Sequence, residues 1–464
     1  MISKKTLLFY ILIIVSFITL YQCIYTSNVD SRFEFLFFLP LSFIIACLFN
    51  RSVVKKHSNN LIVLIVIGTY FIRNVISVYV LISIDDSVYA IVDSFTLNSF
   101  NKAIMIMSLD IVMIFYYLNY EMRNNYKNYY KRELTYFELF NAKNSKVFKL
   151  LIISSLIFTL VSWFLVPQIG ENYTTIFDST VVDLSSLETN KEVDRGGIFR
   201  ILLTLSLMLF KLLIIAISVY LLSWIRLRIS FISVRLSLFY IILFLQLFFI
   251  TGNTMDVVMT VGVLFIVYAK IENSNKAVLL SGSIGLLSLV FIIGSLKAAS
   301  ISSGGSLLSL FLQGYFPGVF NLAGVFEIDT NISKLDSLFA DFYTMIPFRN
   351  TVFGIETELK TSEIFNESNN VRGQIIPFIG ESFYYLGYLG FIVPILVIKI
   401  AFYYFNQSNL TNNIMAYSFY LHIAFYFAVA PVLYHDTILG AYFFSTAIPF
   451  LLLIKYNKLF FKKL

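Results

Sequence analysis

Long apolar runs alternate with short polar interruptions along almost the whole chain, and few of the runs show the two-residue alternation of a half-buried strand. Read by continuous apolar length, the runs fall at roughly 6–25, 35–50, 61–84, 103–120, 150–166, 198–224, 236–250, 257–269, 277–297, 383–405, 414–433 and 437–455. A transmembrane helix needs about 20 apolar residues, so the pattern predicts about twelve spans. The weakest boundary is at 236–269, where Thr251 to Asp256 interrupt an otherwise apolar stretch. One helix over that stretch would be about 51 Å long at about 1.5 Å per residue, against a hydrocarbon core of about 30 Å. Two short spans with a polar tip fit better. The first run follows Lys4 and Lys5 and ends without a small-x-small cleavage site, so it is expected to stay as an uncleaved span.

Composition closes off the soluble alternatives. The 464 residues are 58% hydrophobic and only 13% charged, too few charges to cover a water-soluble surface of this size. Cys23 and Cys47 both sit inside apolar runs, which offers neither a disulfide framework nor a thiolate metal cluster. No Walker, dinucleotide or His-Glu-x-x-His pattern occurs, so no cofactor and no metal is implied.

Charge sets the orientation. With the N-terminus in the cytoplasm, most of the 34 basic residues fall on the inner side, including Arg51, Lys55, Lys56, the run from Arg123 to Lys149, Arg226, Arg228, Arg235 and the tail from Lys455 to Lys463. Nearly all carboxylates then face outward. Both termini are expected to be cytoplasmic, and the net charge of +7 needs no nucleic-acid partner to explain it.

Water-exposed chain is concentrated in two outer loops on a single integral membrane domain. Residues 167–197 form a moderate acidic loop, and residues 298–382 form the largest. Within the second, Leu335, Leu338, Phe339, Phe342 and Met345 fall at helical spacing, which predicts an amphipathic helix over Ser333 to Phe348 that lies on the outer leaflet or caps the bundle. Charge also occurs inside the spans, at Arg73, Asp110, Lys211, Lys399 and His422. The depths of Arg73 and Asp110 differ by only about 6 Å at about 1.5 Å per residue, so a buried ion pair between them is expected. Lys211 has no evident partner and either faces a polar cavity or snorkels.

The richest segment ends the large loop: Arg372-Gly373-Gln374, then Gly380-Glu381-Ser382-Phe383-Tyr384-Tyr385, then Gly387 and Gly390. A Gly-Glu pair entering a span, followed by Tyr and Gly-x-x-Gly, resembles the end of the long outer loop in the Wzy-type O-antigen and capsule repeat-unit polymerases. It is similar, more distantly, to the O-antigen ligases. The motif covers about 25 residues, while the topology of many spans with one large loop before the last three matches along the chain. The resemblance implies an all-α polytopic, GT-C-like polymerase architecture in a bacterial plasma membrane. It also implies a polyprenyl-diphosphate-linked oligosaccharide as substrate, with a chain-length regulator and a flippase as partners.

Candidate chemistry follows from the residue types. Glu381 at the water–membrane boundary can orient or deprotonate an attacking sugar hydroxyl, or it can simply favour a helix N-terminus. His435 and Asp436, after the penultimate span, could form a second base, or they could be structural. The family likeness implies outer-face arginines that hold a diphosphate, and Arg195, Arg200, Arg349 and Arg372 are the residues this chain offers; guanidinium stays charged and binds phosphate oxygens in pairs. Tyr384 and Tyr385 are the candidate sugar contacts. Gly387 and Gly390 are expected to admit a neighbouring helix. Two rival functions share the architecture. A flippase would favour short loops and repeated halves, against which the 298–382 loop counts, whereas a ligase would share the chemistry outright.

Overall fold

The structure of the protein is a computed structural model. It describes residues 4–27, 33–56, 60–83, 95–130, 153–158, 160–161, 164, 197–249, 254–272, 312, 316, 318–328, 331–346, 360–369, 375–411, 413–433 and 436–461. Among the described residues the chain is helical and contains no β-strand. Six helices there are long and apolar enough to cross a membrane: Thr6–Thr26, Leu61–Ser83, Leu97–Asn124, Phe378–Leu410, Ile414–Leu433 and Ile438–Lys455. Helices fall on the expected spans wherever residues are described, while 277–297 and most of 150–166 lie outside them. Helices Ile232–Phe249 and Thr254–Ile271 occupy the two expected short spans; Thr254 to Asp256 of the expected interruption open the second helix, and residues 250–253 lie outside the described residues. The short one is Phe38–Phe49, whose 12 residues reach only about 18 Å.

Packing sorts these helices by position. Ile414–Leu433 is apolar on all sides and enclosed along most of its length, as a central helix must be. It lies antiparallel against Ile392–Leu410 across the short connection at 411–413. By contrast, Thr6–Thr26 leaves Ile14, Phe17, Ile18 and Tyr21 exposed along one side, an apolar face of the kind that meets lipid or another protein.

The expected ion pair is present. Arg73 Nη2 donates to Asp110 Oδ2 at 2.8 Å, and the Tyr70 hydroxyl donates to the same oxygen at 3.0 Å. The Arg73 guanidinium also lies 4.6 Å from the Tyr70 ring centroid, and all three side chains are buried. The helix widens here into a π segment, Ile72–Ile76, a local distortion that often marks sites under special constraint. Of the other intramembrane charges, Lys399 points outward from Ile392–Leu410. His422 is buried, with Nδ1 at 2.7 Å from the Tyr442 hydroxyl. The Lys211 side chain lies outside the described residues.

One expectation is corrected at Gly387 and Gly390. They do not admit a neighbouring helix; they break their own. Gly387 has φ +57°, and with it the helix Phe378–Leu386 stops and a 3-10 turn, Gly387–Phe391, begins. A Cβ on Gly390 would sit 2.5 Å from the Ser382 carbonyl oxygen, so only glycine lets the turn fold back on the helix it ends. The span expected at 383–405 therefore resolves into a short helix followed by Ile392–Leu410, whose 19 residues reach about 28 Å and cover a hydrocarbon core unaided.

Described parts of the 298–382 segment form three short helices, Val319–Phe326, Lys334–Met345 and Thr361–Ser368. They gather at the end of the bundle where Leu97–Tyr130 begins. Thr96 donates from both its amide and its hydroxyl to Glu327 Oε1, each at 2.8 Å. Asn321 Nδ2 reaches the Ile375 carbonyl at 2.9 Å, and Asn369 Nδ2 reaches the Gly324 carbonyl at 3.2 Å. Hydrogen bonds from Ser99 and Thr96 hold the Glu327 carboxyl below the usual glutamate range. The helix expected within 333–348 is Lys334–Met345, with the Ser333 side chain accepting from the Leu335 amide. Its faces are inverted relative to a soluble helix: Ser337, Ala340 and Asp341 point inward, while Leu335, Phe339 and Phe342 are exposed.

Candidate functional site

Glu381 owes its position to the glycine before it. A Cβ on Gly380 would come 2.7 Å from Leu322 Cδ1 and 3.3 Å from Val325 Cγ2, so the absence of a side chain lets the Phe378–Leu386 helix press onto Val319–Phe326. The next side chain is carried into that contact, and Glu381 is only 2% exposed. Pro377 occupies the N-cap and provides no side-chain cap; Glu381 stands in the first turn, where the helix dipole favours its charge. The favourable placement at a helix N-terminus expected of Glu381 is therefore present, together with its burial.

Four residues after Glu381, on the same helical face, stands Tyr385. Its hydroxyl donates to Asp341 Oδ2 and shares a second short hydrogen bond with Thr361 Oγ1. The Thr361 amide donates to Asp341 Oδ1 at 3.2 Å. One carboxylate therefore ties together the helices Lys334–Met345, Thr361–Ser368 and Phe378–Leu386. Asp341 is fully enclosed, and burial raises its pKa against the opposing pull of the Tyr385 and Thr361 hydrogen bonds and the Lys360 charge. Tyr384 hydrogen-bonds Ser337, stacks edge-on against Tyr385 with centroids 5.3 Å apart, and lies 4.8 Å beneath the Lys334 ammonium. Close by, Lys102 stands 4.3 Å from the Phe326 ring and 5.5 Å from the Phe383 ring. Two buried carboxylates, two tyrosines and two flanking lysines thus converge at the capped end of the bundle.

The other expected residues divide by location. Arg195, Arg349, Arg372 and His435 lie outside the described residues. Arg200 falls in the first turn of Gly197–Arg228, and Asp436 opens the helix Asp436–Tyr442; their side chains lie outside the described residues too. The helix begun by Asp436 packs against Lys334–Met345, where Gly440 accommodates Met345. That amphipathic helix accordingly touches both elements expected to carry a base, Phe378–Leu386 and Asp436–Tyr442.

Asp341 and Thr361 were not among the residues expected from sequence. A signal for Asp341 was present: Ser337, Asp341 and Thr344 recur at helical spacing opposite the apolar residues. It reads as a solvated face until packing shows that face turned inward. Thr361 carries no such mark. Comparison of the chain with family models, with curated proteins and with solved structures finds no match in any of the three. The fold itself defines an all-α, multi-pass membrane protein.

Proposed function

We propose that this protein is a membrane glycosyltransferase that polymerises polyprenyl-diphosphate-linked oligosaccharide repeats into surface polysaccharide, O-antigen or capsule, at the outer face of a bacterial plasma membrane. In this reading the chain threads about twelve times with both termini cytoplasmic, and the cap of short helices lies outside. The terminal hydroxyl of the acceptor repeat attacks the anomeric carbon of the growing chain. Its proton passes to a base, and the C–O bond to the polyprenyl diphosphate breaks with its electron pair on the diphosphate. Glu381 orients or deprotonates the hydroxyl, and Tyr384 and Tyr385 contact the sugars. Lys102 and Lys334 join the loop arginines Arg195, Arg349 and Arg372, with Arg200, in stabilising the leaving anion by preorganised charge.

The observation that carries the reading is the burial of Glu381 beneath helices of the large loop, beside Tyr384, Tyr385 and a second carboxylate. A carboxylate that served solubility or capping alone would remain in water, since burying one is costly. Deletion of the gene followed by gel analysis of surface polysaccharide tests the proposal. Loss of the long ladder with retention of single-repeat products is expected. Full-length lipid-linked polymer that is never transferred would indicate a ligase, and repeats trapped inside the cell would indicate a flippase. Glu381→Gln is expected to shorten chains at unchanged protein level.

A further inference from the structure

Asp341 occupies a position that packing alone does not explain. A hydrogen-bonded clasp between three helices could be made by a neutral amide without the cost of burying an ionisable carboxyl. Here the carboxyl is fully enclosed, yet it is linked through one hydrogen bond to Tyr385, which is only half-buried and so joins the enclosed group to the accessible side of the cap. Thr361 completes the arrangement, holding Oδ1 with its amide and the Tyr385 hydroxyl with its own. Each Asp341 oxygen thereby accepts one hydrogen bond, and the Tyr385 hydroxyl, donating to Asp341, is held between Asp341 and Thr361. Burial, then the Asp341 carboxylate bonded to it, then Glu381 one turn earlier on the same face oppose accumulation of charge on the Tyr385 oxygen. A hydroxyl in that setting passes a proton on; it does not keep the negative charge.

We propose that Asp341 is a positioning residue of the transfer site, fixing the Tyr385 hydroxyl toward the acceptor sugar and receiving its proton as Tyr385 takes the proton of the attacking hydroxyl. The inference rests on the glycosyl-transfer reading above and assigns the proton route within it. The sugar O–H bond breaks as a new O–H bond forms on Tyr385, while the former Tyr385 proton moves to Asp341 Oδ2. The sugar oxygen bonds the anomeric carbon, and the diphosphate departs with the electrons of the broken C–O bond. Glu381 is left to orient the acceptor through its charge. Return of the proton from Asp341 to water retraces the same path through Tyr385 after the product leaves.

Ionised Asp341 is the working form, so activity falls on acidification as the carboxyl protonates. The titratable and charged groups on the elements packed around it are Glu381, Tyr384 and Tyr385 on Phe378–Leu386, Lys360, Glu363 and Glu367 at or on Thr361–Ser368, Lys334, Asp336 and Tyr343 on its own helix, and Asp436 and Tyr442 on Asp436–Tyr442. Of these, carboxyls can titrate in the same acidic range, which is why the test compares variants and not a single profile.

The experiment uses the full-length protein in membranes of its own cell, with the chromosomal gene replaced by each variant and the lipid-linked repeats already present in those membranes as substrate. Polymer formation is followed between about pH 5 and 8. Asp341→Asn, which keeps an acceptor for the Thr361 amide, is expected to slow polymerisation about a hundredfold and to shift the acidic limb of the rate profile, leaving what Glu381 contributes, at unchanged thermal stability in detergent. Tyr385→Phe is expected to lose as much, the double variant to lose no more than either single change, and Asp341→Glu to restore part of the rate. Wild-type rate or an unshifted acidic limb in Asp341→Asn would overturn the inference while leaving the polymerase reading intact, as would losses that multiply in the double variant. Absence of polymer from wild-type membranes that hold repeats would overturn both.

Discussion

The Arg73–Asp110 pair offers the most direct test of how this membrane domain is held together. At 2.8 Å and an effective dielectric constant of about 20, the attraction is about 6 kcal/mol. Desolvation of both ions consumes much of that, so the intact pair contributes little net stability. Breaking it is another matter. Asp110→Ala would leave the guanidinium enclosed, with Nη2 stripped of its partner; Nε and Nη1 already find no hydrogen-bond acceptor among the described residues. Among the described residues the Tyr70 side chain, its ring at 4.6 Å, would remain beside the charge, and about 3–5 kcal/mol of destabilisation is expected. Asp110→Asn, which keeps an oxygen for both Arg73 and Tyr70, should lose less. The double change Arg73→Met with Asp110→Leu should recover most of the stability, because it removes both desolvation costs. Equilibrium unfolding in mixed micelles, arranged as a double-mutant cycle, measures these values. A single Asp110→Ala no less stable than the double variant would refute the reasoning, since an unpaired buried cation would then cost nothing.

Further expectations concern the cap and the topology. Gly390→Ala places a Cβ against the backbone oxygen of Ser382 and should sharply reduce the yield of folded protein, whereas Gly68→Ala, which meets nothing within 4 Å, should be near neutral in the same fluorescence-detected chromatography. Glu327, whose carboxyl is held below its usual range, contributes stability above the unfolded glutamate pKa of about 4.3 and loses it as pH falls through the folded value; Glu327→Gln should flatten that acid dependence of cap protection in hydrogen exchange. A reporter fused at the C-terminus should read cytoplasmic, and an extracellular signal would overturn the proposed span count.

Much of the architecture was legible in the chain. Spans follow from apolar length, because backbone polar groups in lipid can be satisfied only within helices. The Arg73–Asp110 pair was visible for a related reason: two opposite charges at similar depth in lipid have few other partners, and tertiary packing supplied the angle that brings them to 2.8 Å. The amphipathic helix at 334–345 was equally readable in its period. Which of its faces turns inward was not, because the sequence does not state whether a loop helix lies against water, lipid or the bundle.

The site divides in the same way. The Gly380-Glu381 pair and its two tyrosines stood out in sequence as a polar group entering a span. That Gly380 serves close contact with Leu322, and that Gly390 lets the turn close on Ser382, depends on neighbours 58 and 8 residues away in the chain. Asp341 and Thr361 lie 44 and 24 residues from Tyr385, and no local pattern links them. The sequence by itself determined that this chain lives in a bilayer and where its scarce charge lies, since burial of backbone in lipid and the cost of charge act on each segment alone. Only the tertiary structure decided that Asp341 and Thr361 share the Tyr385 hydroxyl, because that depends on helices separated along the chain meeting at one end of the bundle.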